Sequence, residues 1–399
     1  MTALTRLLIA SLGGIYLLKS FTLATRRPIT ATGLAAFLLA WPGVISDHFR
    51  RRANALPIDA ARFFAAWSRT LFGGACIFLL AAFANTIPEP LLGLAGVAAL
   101  LLTLHLGAGD LLPWLLRWAG FPAPLLFDRP WTSTTLADFW SRRWNLAFVE
   151  MNRRLFLRPL WHTLGGPGAR FALFIVSGIL HELALSWPAA AGWGLPLAYF
   201  ALQGTIVAIE ERFRIVSRAW TLFWLIAPAP WLFHEPFRRT LIIPFYRALH
   251  TLLTAHSNSW YLSSALYTAA LAHLIILIAS AQVPTRLNWR HDLRKLAPFN
   301  RKIFWTYGAY IVLCIASFAA LTWFLHDDLL AGARSARFLA AFIAIFWTAR
   351  VAIDVFWFDY RDWPPGNALI AGHALLTTLF AALAAIYWCA ALIPSTIEA

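Results

Sequence analysis

The chain has 399 residues, of which 60% are hydrophobic and only 13% charged, with 21 tryptophans and a formal net charge of +15. A soluble globular chain carries about one quarter charged residues, so this composition excludes a water-solvated globule. The positive charge is not a nucleic-acid footprint, because Arg and Lys stand at the ends of apolar blocks: Arg26-Arg27, Arg50-Arg51-Arg52, Arg142-Arg143, Arg153-Arg154, Arg212 to Arg218, and Arg286 to Lys302. That placement is a positive-inside bias, and no soluble face is left to carry a phosphate-reading patch.

Eleven apolar blocks follow one another along the chain, at 5–24, 29–45, 64–84, 90–107, 169–188, 194–210, 218–233, 260–282, 304–325, 337–358 and 367–393. A span needs about 20 largely apolar residues to cross about 30 Å of hydrocarbon. The blocks at 29–45, 194–210 and 218–233 are short, and the last holds Pro228 and Pro230, so for these a re-entrant or protein-buried course stays open. The expected fold is all-α: a polytopic transmembrane helical protein of about nine to eleven membrane helices plus an interfacial amphipathic helix. No small-residue cleavage site follows the first block, which reads Leu4–Leu23 as a retained anchor. Cys76, Cys314 and Cys389 lie far apart in apolar blocks without a CxxC, as small core residues and neither a disulfide framework nor a metal site. The composition shifts near residue 253. Residues 1–252 mix apolar blocks with polar, Pro-rich and Arg-rich stretches, whereas 253–399 are four full-length blocks, expected to form a four-helix transmembrane domain of unassigned role.

Leu112 to Gly168 is the longest stretch that does not read as a span. It begins with Pro113, Pro122, Pro124 and Pro130 as irregular chain. Thr135, with Asp138 three residues on, resembles a capping box and starts a helix. Trp140, Trp144, Phe148, Met151 and Leu155 then form one helical stripe, with Arg142, Arg143, Glu150, Arg153 and Arg154 off it and Glu150 at pairing distance from Arg154. An aromatic face opposite a cationic face describes an interfacial helix, which Gly165-Gly166-Pro167-Gly168 ends.

The next block places His181-Glu182 inside an otherwise apolar run. An ionisable group there costs about 2.5 kcal/mol or more on insertion scales and defaults to a functional role, although a His–Glu pair tying two helices together is as good a reading of an isolated case. An unperturbed imidazole titrates near neutrality and takes up a proton readily. Leu185 stands where a zinc-protease helix needs its second histidine, no G-x-S-x-G surrounds a serine, and Gly165–Gly168 has neither P-loop nor dinucleotide spacing.

Phe139-Trp-Ser-Arg-Arg-Trp-Asn145-Leu followed by Val176-Ser-Gly-Ile-Leu-His181-Glu resembles the two-part signature of the wax-synthase branch of the membrane-bound O-acyltransferases. Phe37-Leu-Leu-Ala-Trp-Pro-Gly43 and Trp231-Leu-Phe-His234 are similar to flanking segments of bacterial members. The resemblance covers roughly residues 30–250 and leaves 253–399 unmatched. It implies His181 and Asn145 as the catalytic residues, acyl-CoA as cosubstrate with no tightly bound cofactor or metal, and a lipophilic alcohol as acceptor. It also implies a multi-pass protein of the bilayer, expected in a bacterial cytoplasmic membrane, with no nucleic-acid partner and an oligomeric state left open. Arg142, Arg143, Trp144, Glu182, Arg153 and Arg154 are the substrate-binding candidates, the arginines as contacts for CoA phosphates, with snorkelling to lipid headgroups the competing role. Sterol, terpenoid and glycan hydroxyls stay open as acceptors. A transporter using His181, Glu182, Glu210, Glu211, His273, Arg350, Asp354 and His373 as a relay is the alternative from another class.

Overall fold

A computed structural model describes residues 2–24, 29–53, 56–255, 259–364 and 366–392; Arg26-Arg27 lies outside the described residues. The chain is an all-α polytopic membrane protein. Among the described residues, eight helices are long and apolar enough to cross a membrane: Ala3–Ser20, Ala60–Ala82, Glu89–Trp118, Leu146–Ala189, Tyr261–Arg286, Pro298–Phe324, Arg334–Phe356 and Asn367–Leu392. The three short apolar blocks fold as helix at Ala31–Ala40, at Leu195–Phe213, and at Arg218–Ile226 with Ala229–Leu232. The chain divides into two compact units, Met1–His250 and Thr251–Ala399.

In the first unit, Thr135 caps the helix as expected, although the reciprocal half of a capping box does not form, because the Asp138 carboxylate pairs with Arg143. Thr135 Oγ1 accepts from Asp138 N at 3.0 Å. The aromatic stripe, however, does not run through one helix. The chain winds helically from Leu136 to Arg143, Trp144 is extended, and Asn145 takes a left-handed conformation (φ 46, ψ 61) before a new helix starts at Leu146. Asparagine is among the few side chains that tolerate this conformation, and here it also caps the helix it starts: Oδ1 accepts from Phe148 N at 3.3 Å. Periodicity alone cannot detect such a break, because the stripe resumes in register beyond it. The segment Leu146–Ala189 has 44 residues, about 66 Å of helix if straight. Gly165 (φ 67) and Pro167 kink it where the glycine cluster was expected to end a helix.

Ala60–Ala82 packs on Leu101–Gly109, which winds as a π-helix. Two reciprocal glycine–threonine contacts seat the pair: a Cβ on Gly73 would lie 2.3 Å from Thr103 Oγ1, and one on Gly107 would lie 2.5 Å from Thr70 Oγ1. Small residues that let backbones approach are the usual means of helix association in lipid. Near the N-terminus, Lys19 is buried and donates to Phe37 O, Leu38 O and Trp41 O at 2.7, 3.2 and 2.6 Å. It thereby satisfies carbonyls at the end of Ala31–Ala40.

The second unit has its four long helices around Leu266, Ile276, Ile343, Trp347 and Tyr387. Its buried polar groups are matched internally. His273 Nδ1–H donates to Ala269 O at 2.7 Å while its Nε2 accepts from the Trp347 indole at 3.1 Å. Asp354 pairs with Arg350, as their spacing of four suggests, and accepts from Thr377 Oγ1 at 2.7 Å.

The glycine contacts give a test of the first unit. Gly73→Ala drives a methyl into Thr103 and is expected to cost about 1–3 kcal/mol of stability. Gly74→Ala meets nothing within 4 Å and is expected to leave thermal unfolding in detergent unchanged. Equal melting temperatures for the two variants would contradict the packing.

Candidate active site

His181 ends a helical run and is followed by a π-turn, Glu182–Ser186. Its Nδ1 lies 2.7 Å from Ser177 O. A carbonyl can only accept, so Nδ1 carries the proton and Nε2 holds the free lone pair. No described residue hydrogen-bonds Nε2. The ring faces Phe200 at 4.4 Å between centroids.

Asn145 shows the complementary arrangement. The Phe148 N–H can only donate, so the amide turns Oδ1 toward it and leaves the Nδ2 hydrogens without a partner among the described residues. The site thus offers one free acceptor and one free donor. No hydrogen bond joins the two side chains among the described residues. A continuous run of rings leads from one to the other: Phe200 to Trp140 at 5.6 Å, Trp140 to Phe139 at 4.9 Å, and Phe139 to Trp144, the neighbour of Asn145, at 5.3 Å.

Helix Leu195–Phe213 organises this run. At its N-terminus the buried Glu182 accepts through Oε1 from Gly194 N and Leu197 N at 2.9 and 3.0 Å, a carboxylate on the positive end of a helix. In its middle, Gln203 Oε1 accepts from the Trp140 indole at 3.1 Å, and Phe200 covers His181. Near its C-terminal end the buried Glu210 accepts from Leu136 N at 2.8 Å, capping the helix that carries Trp140. The His181 helix approaches closely enough that a Cβ on Gly178 would lie 2.9 Å from Leu197 Cα.

The remaining candidates separate by their bonds. Arg143 is engaged by Asp138, by Thr132 Oγ1 at 2.8 Å and by Asp128 O at 3.3 Å. Arg154 pairs with Asp47 and Glu150, each at 2.6 Å. Both hold the fold. Arg142 and Arg153 are exposed and have no partner among the described residues. Glu182 Oε2 is buried without a hydrogen bond. Ser141 donates to Ala137 O on the far side of the break from Asn145, whereas Asn152, on the Asn145 helix, is buried with an unpaired Oδ1. The flanking blocks are supports. Phe37 and Trp41 pack in one cluster with Ala147 and Trp144. His234 accepts at Nδ1 from Phe237 N at 3.2 Å, so Nε2–H points to Ser186 Oγ, also at 3.2 Å. Burial pushes that imidazole below the usual histidine range, against the charge of Glu182.

Sequence comparison now bears on this site. Residues 123–202 match the model of the membrane bound O-acyl transferase family. This part of the chain is similar to the membrane-bound O-acyltransferases, and the relatives it matches include wax-synthase-like enzymes. The chain is 32% identical over 138 residues to the acyl-CoA–sterol O-acyltransferase 1 of Arabidopsis thaliana, covering 29% of this chain and 39% of that protein. It is 29% identical over 128 residues to the long-chain-alcohol O-fatty-acyltransferase of Simmondsia chinensis, covering 27% and 36%. The chain therefore spans about two fifths of the length of the curated relatives it matches. No solved structure matches. The matched segment contains Asn145, His181 and the Glu182 cap, and it stops inside helix Leu195–Phe213, before Glu210.

Removal of the Glu210 carboxylate strands a buried backbone N–H, at a cost of about 1–3 kcal/mol. Glu210→Ala is therefore expected to lower stability by that amount and to speed amide exchange at Leu136 and Ala137. Unchanged exchange there would show that the cap does not hold this turn.

Proposed function

We propose that this chain is an acyltransferase that moves an acyl group from acyl-CoA to the hydroxyl of a lipophilic alcohol, giving a wax ester or related lipid ester. The observation that carries the reading is the pairing of a free imidazole acceptor with a free amide donor along one aromatic run inside the matched segment. The names of the relatives, a long-chain-alcohol and a sterol acyltransferase, supply the chemical class.

In this reading His181 Nε2 takes the hydroxyl proton as the alcohol oxygen attacks the thioester carbonyl, a contribution of about 10²–10⁴-fold. Asn145 Nδ2 donates to the carbonyl oxygen as it gains negative charge. The tetrahedral adduct collapses with cleavage of the carbon–sulfur bond, and the CoA thiolate recovers the proton from the imidazolium. Ser177 O stabilises that imidazolium through Nδ1–H. The matched segment 123–202 holds no cysteine to carry the acyl group, so transfer in this reading is direct, within a ternary complex. Arg142 and Arg153, the two arginines without internal partners, are the contacts for CoA phosphates. The membrane in this reading is the cytoplasmic membrane of a bacterium, on the likeness of residues 37–43 and 231–234 to bacterial family members; the relatives compared are plant proteins. Against the transporter alternative, five of its eight relay residues, Glu182, Glu210, Glu211, His273 and Asp354, each hold a cap or a pair.

A second acceptor, a sterol, is favoured by the likeness to the sterol acyltransferase. Competition between a sterol and a long-chain alcohol for one acyl-CoA separates the two.

Purified protein is expected to release free CoA from acyl-CoA only when an alcohol is added. His181→Ala should cut that release by at least about 10²-fold while its elution and melting profiles stay those of the native protein. Near-native release by a folded His181→Ala variant would remove the histidine from the mechanism. Arg142→Ala with Arg153→Ala should raise KM for acyl-CoA about tenfold with KM for the alcohol unchanged.

A further inference from the structure

A second histidine reaches this site from outside the matched segment. His105 lies on Leu101–Gly109, the π-wound part of a long apolar helix, where an ionisable side chain is a functional candidate by its cost alone. Its ring stacks on Trp144 with centroids 6.2 Å apart and planes within 9°, and it meets Phe127 edge-on at 6.3 Å. Trp144 is in turn one end of the aromatic run that reaches Phe200 and His181. Neither ring nitrogen of His105 has a hydrogen-bond partner among the described residues, and the side chain is exposed. The buried His273, by contrast, has both nitrogens satisfied.

The backbone around His105 is held in place by dedicated contacts. π-Winding is unfavourable and recurs at functional sites, because it leaves carbonyls unpaired and re-aims side chains. Here Arg69 Nε donates to Leu106 O at 2.6 Å, and its Nη2 pairs with Asp110 at 2.6 Å. Together with the Thr70–Gly107 and Thr103–Gly73 contacts, this fixes the turn that presents His105.

Resting on the acyl-transfer reading, we propose that His105 hydrogen-bonds the hydroxyl oxygen of the acceptor alcohol and holds it beside His181 Nε2. A neutral imidazole has one donor nitrogen for that oxygen, and the hydroxyl hydrogen stays directed at His181. The alcohol then lies between two histidines and over the face of Trp144, and its alkyl chain follows the aromatic run.

The test is steady-state kinetics of the full chain with a long-chain alcohol and acyl-CoA, for His105→Ala, His105→Phe and His105→Gln beside the native protein and His181→Ala. His105→Phe keeps a ring against Trp144 but makes no hydrogen bond; His105→Gln keeps the hydrogen bond but cannot titrate. Loss of one neutral hydrogen bond predicts an approximately tenfold rise in KM for the alcohol in the Ala and Phe variants. KM for acyl-CoA should stay within twofold, and Gln should recover most of the loss. A Phe variant with native alcohol KM would reduce His105 to packing and overturn the proposal. So would a loss of kcat in all three variants with alcohol KM unchanged. If His181→Ala abolishes transfer while every His105 variant behaves as native, the proposed function stands and this inference falls. If the native chain transfers no acyl group to any alcohol, both fall.

Discussion

The site depends on one helix being gripped from both sides by buried carboxylates. Leu195–Phe213 receives Glu182 from the His181 helix at its start and sends Glu210 to the Trp140 helix near its end. Each carboxylate meets backbone N–H groups that no neighbouring carbonyl can serve, and inside an apolar protein such a group is costly unpaired. The two short segments bearing Asn145 and His181 are thereby tied to a common support. Gln203 and Phe200, between the two anchors, set the depth of Trp140 and His181 on it.

A second constraint is the departure from α-helical winding. π-Turns occur at Leu101–Gly109, Phe139–Arg143 and Glu182–Ser186, next to His105, Asn145 and His181 respectively. A π-turn frees carbonyls, and here the side chains that repair them also orient the site: Arg69 on Leu106 O is the clearest case. The same logic fixes the chemistry of the two central residues. One backbone carbonyl decides the tautomer of His181, and one backbone N–H decides the orientation of the Asn145 amide.

Much of this was legible in the sequence. The apolar blocks gave the helical membrane fold, Thr135 gave its cap, the spacing of Glu150 from Arg154 and of Arg350 from Asp354 gave their pairs, and the motif pair named Asn145 and His181. The break at Trp144-Asn145 was not legible, because helical periodicity is blind to a left-handed residue that leaves the stripe in phase. Nor could the sequence divide all four arginines: beyond the Glu150–Arg154 spacing, the bonds of Arg154 to Asp47 and of Arg143 to Thr132 and Asp128 join residues that no helical spacing relates. His105 carries one usable signal, an ionisable residue in an apolar block, and no motif surrounds it. Lys19 and Glu210 needed the tertiary structure, as each serves backbone groups brought to it by folding.

The central claim is that His181 and Asn145 act on one reacting carbon. Its most direct test is a cryo-electron-microscopy structure of the protein bound to a non-hydrolysable thioether analogue of acyl-CoA. The account predicts the analogue's acyl chain along the Phe200–Trp140–Trp144 run, with the carbon that replaces the thioester carbonyl lying between His181 Nε2 and Asn145 Nδ2. An analogue bound elsewhere, or the two side chains directed to opposite faces of the membrane around it, would contradict the account.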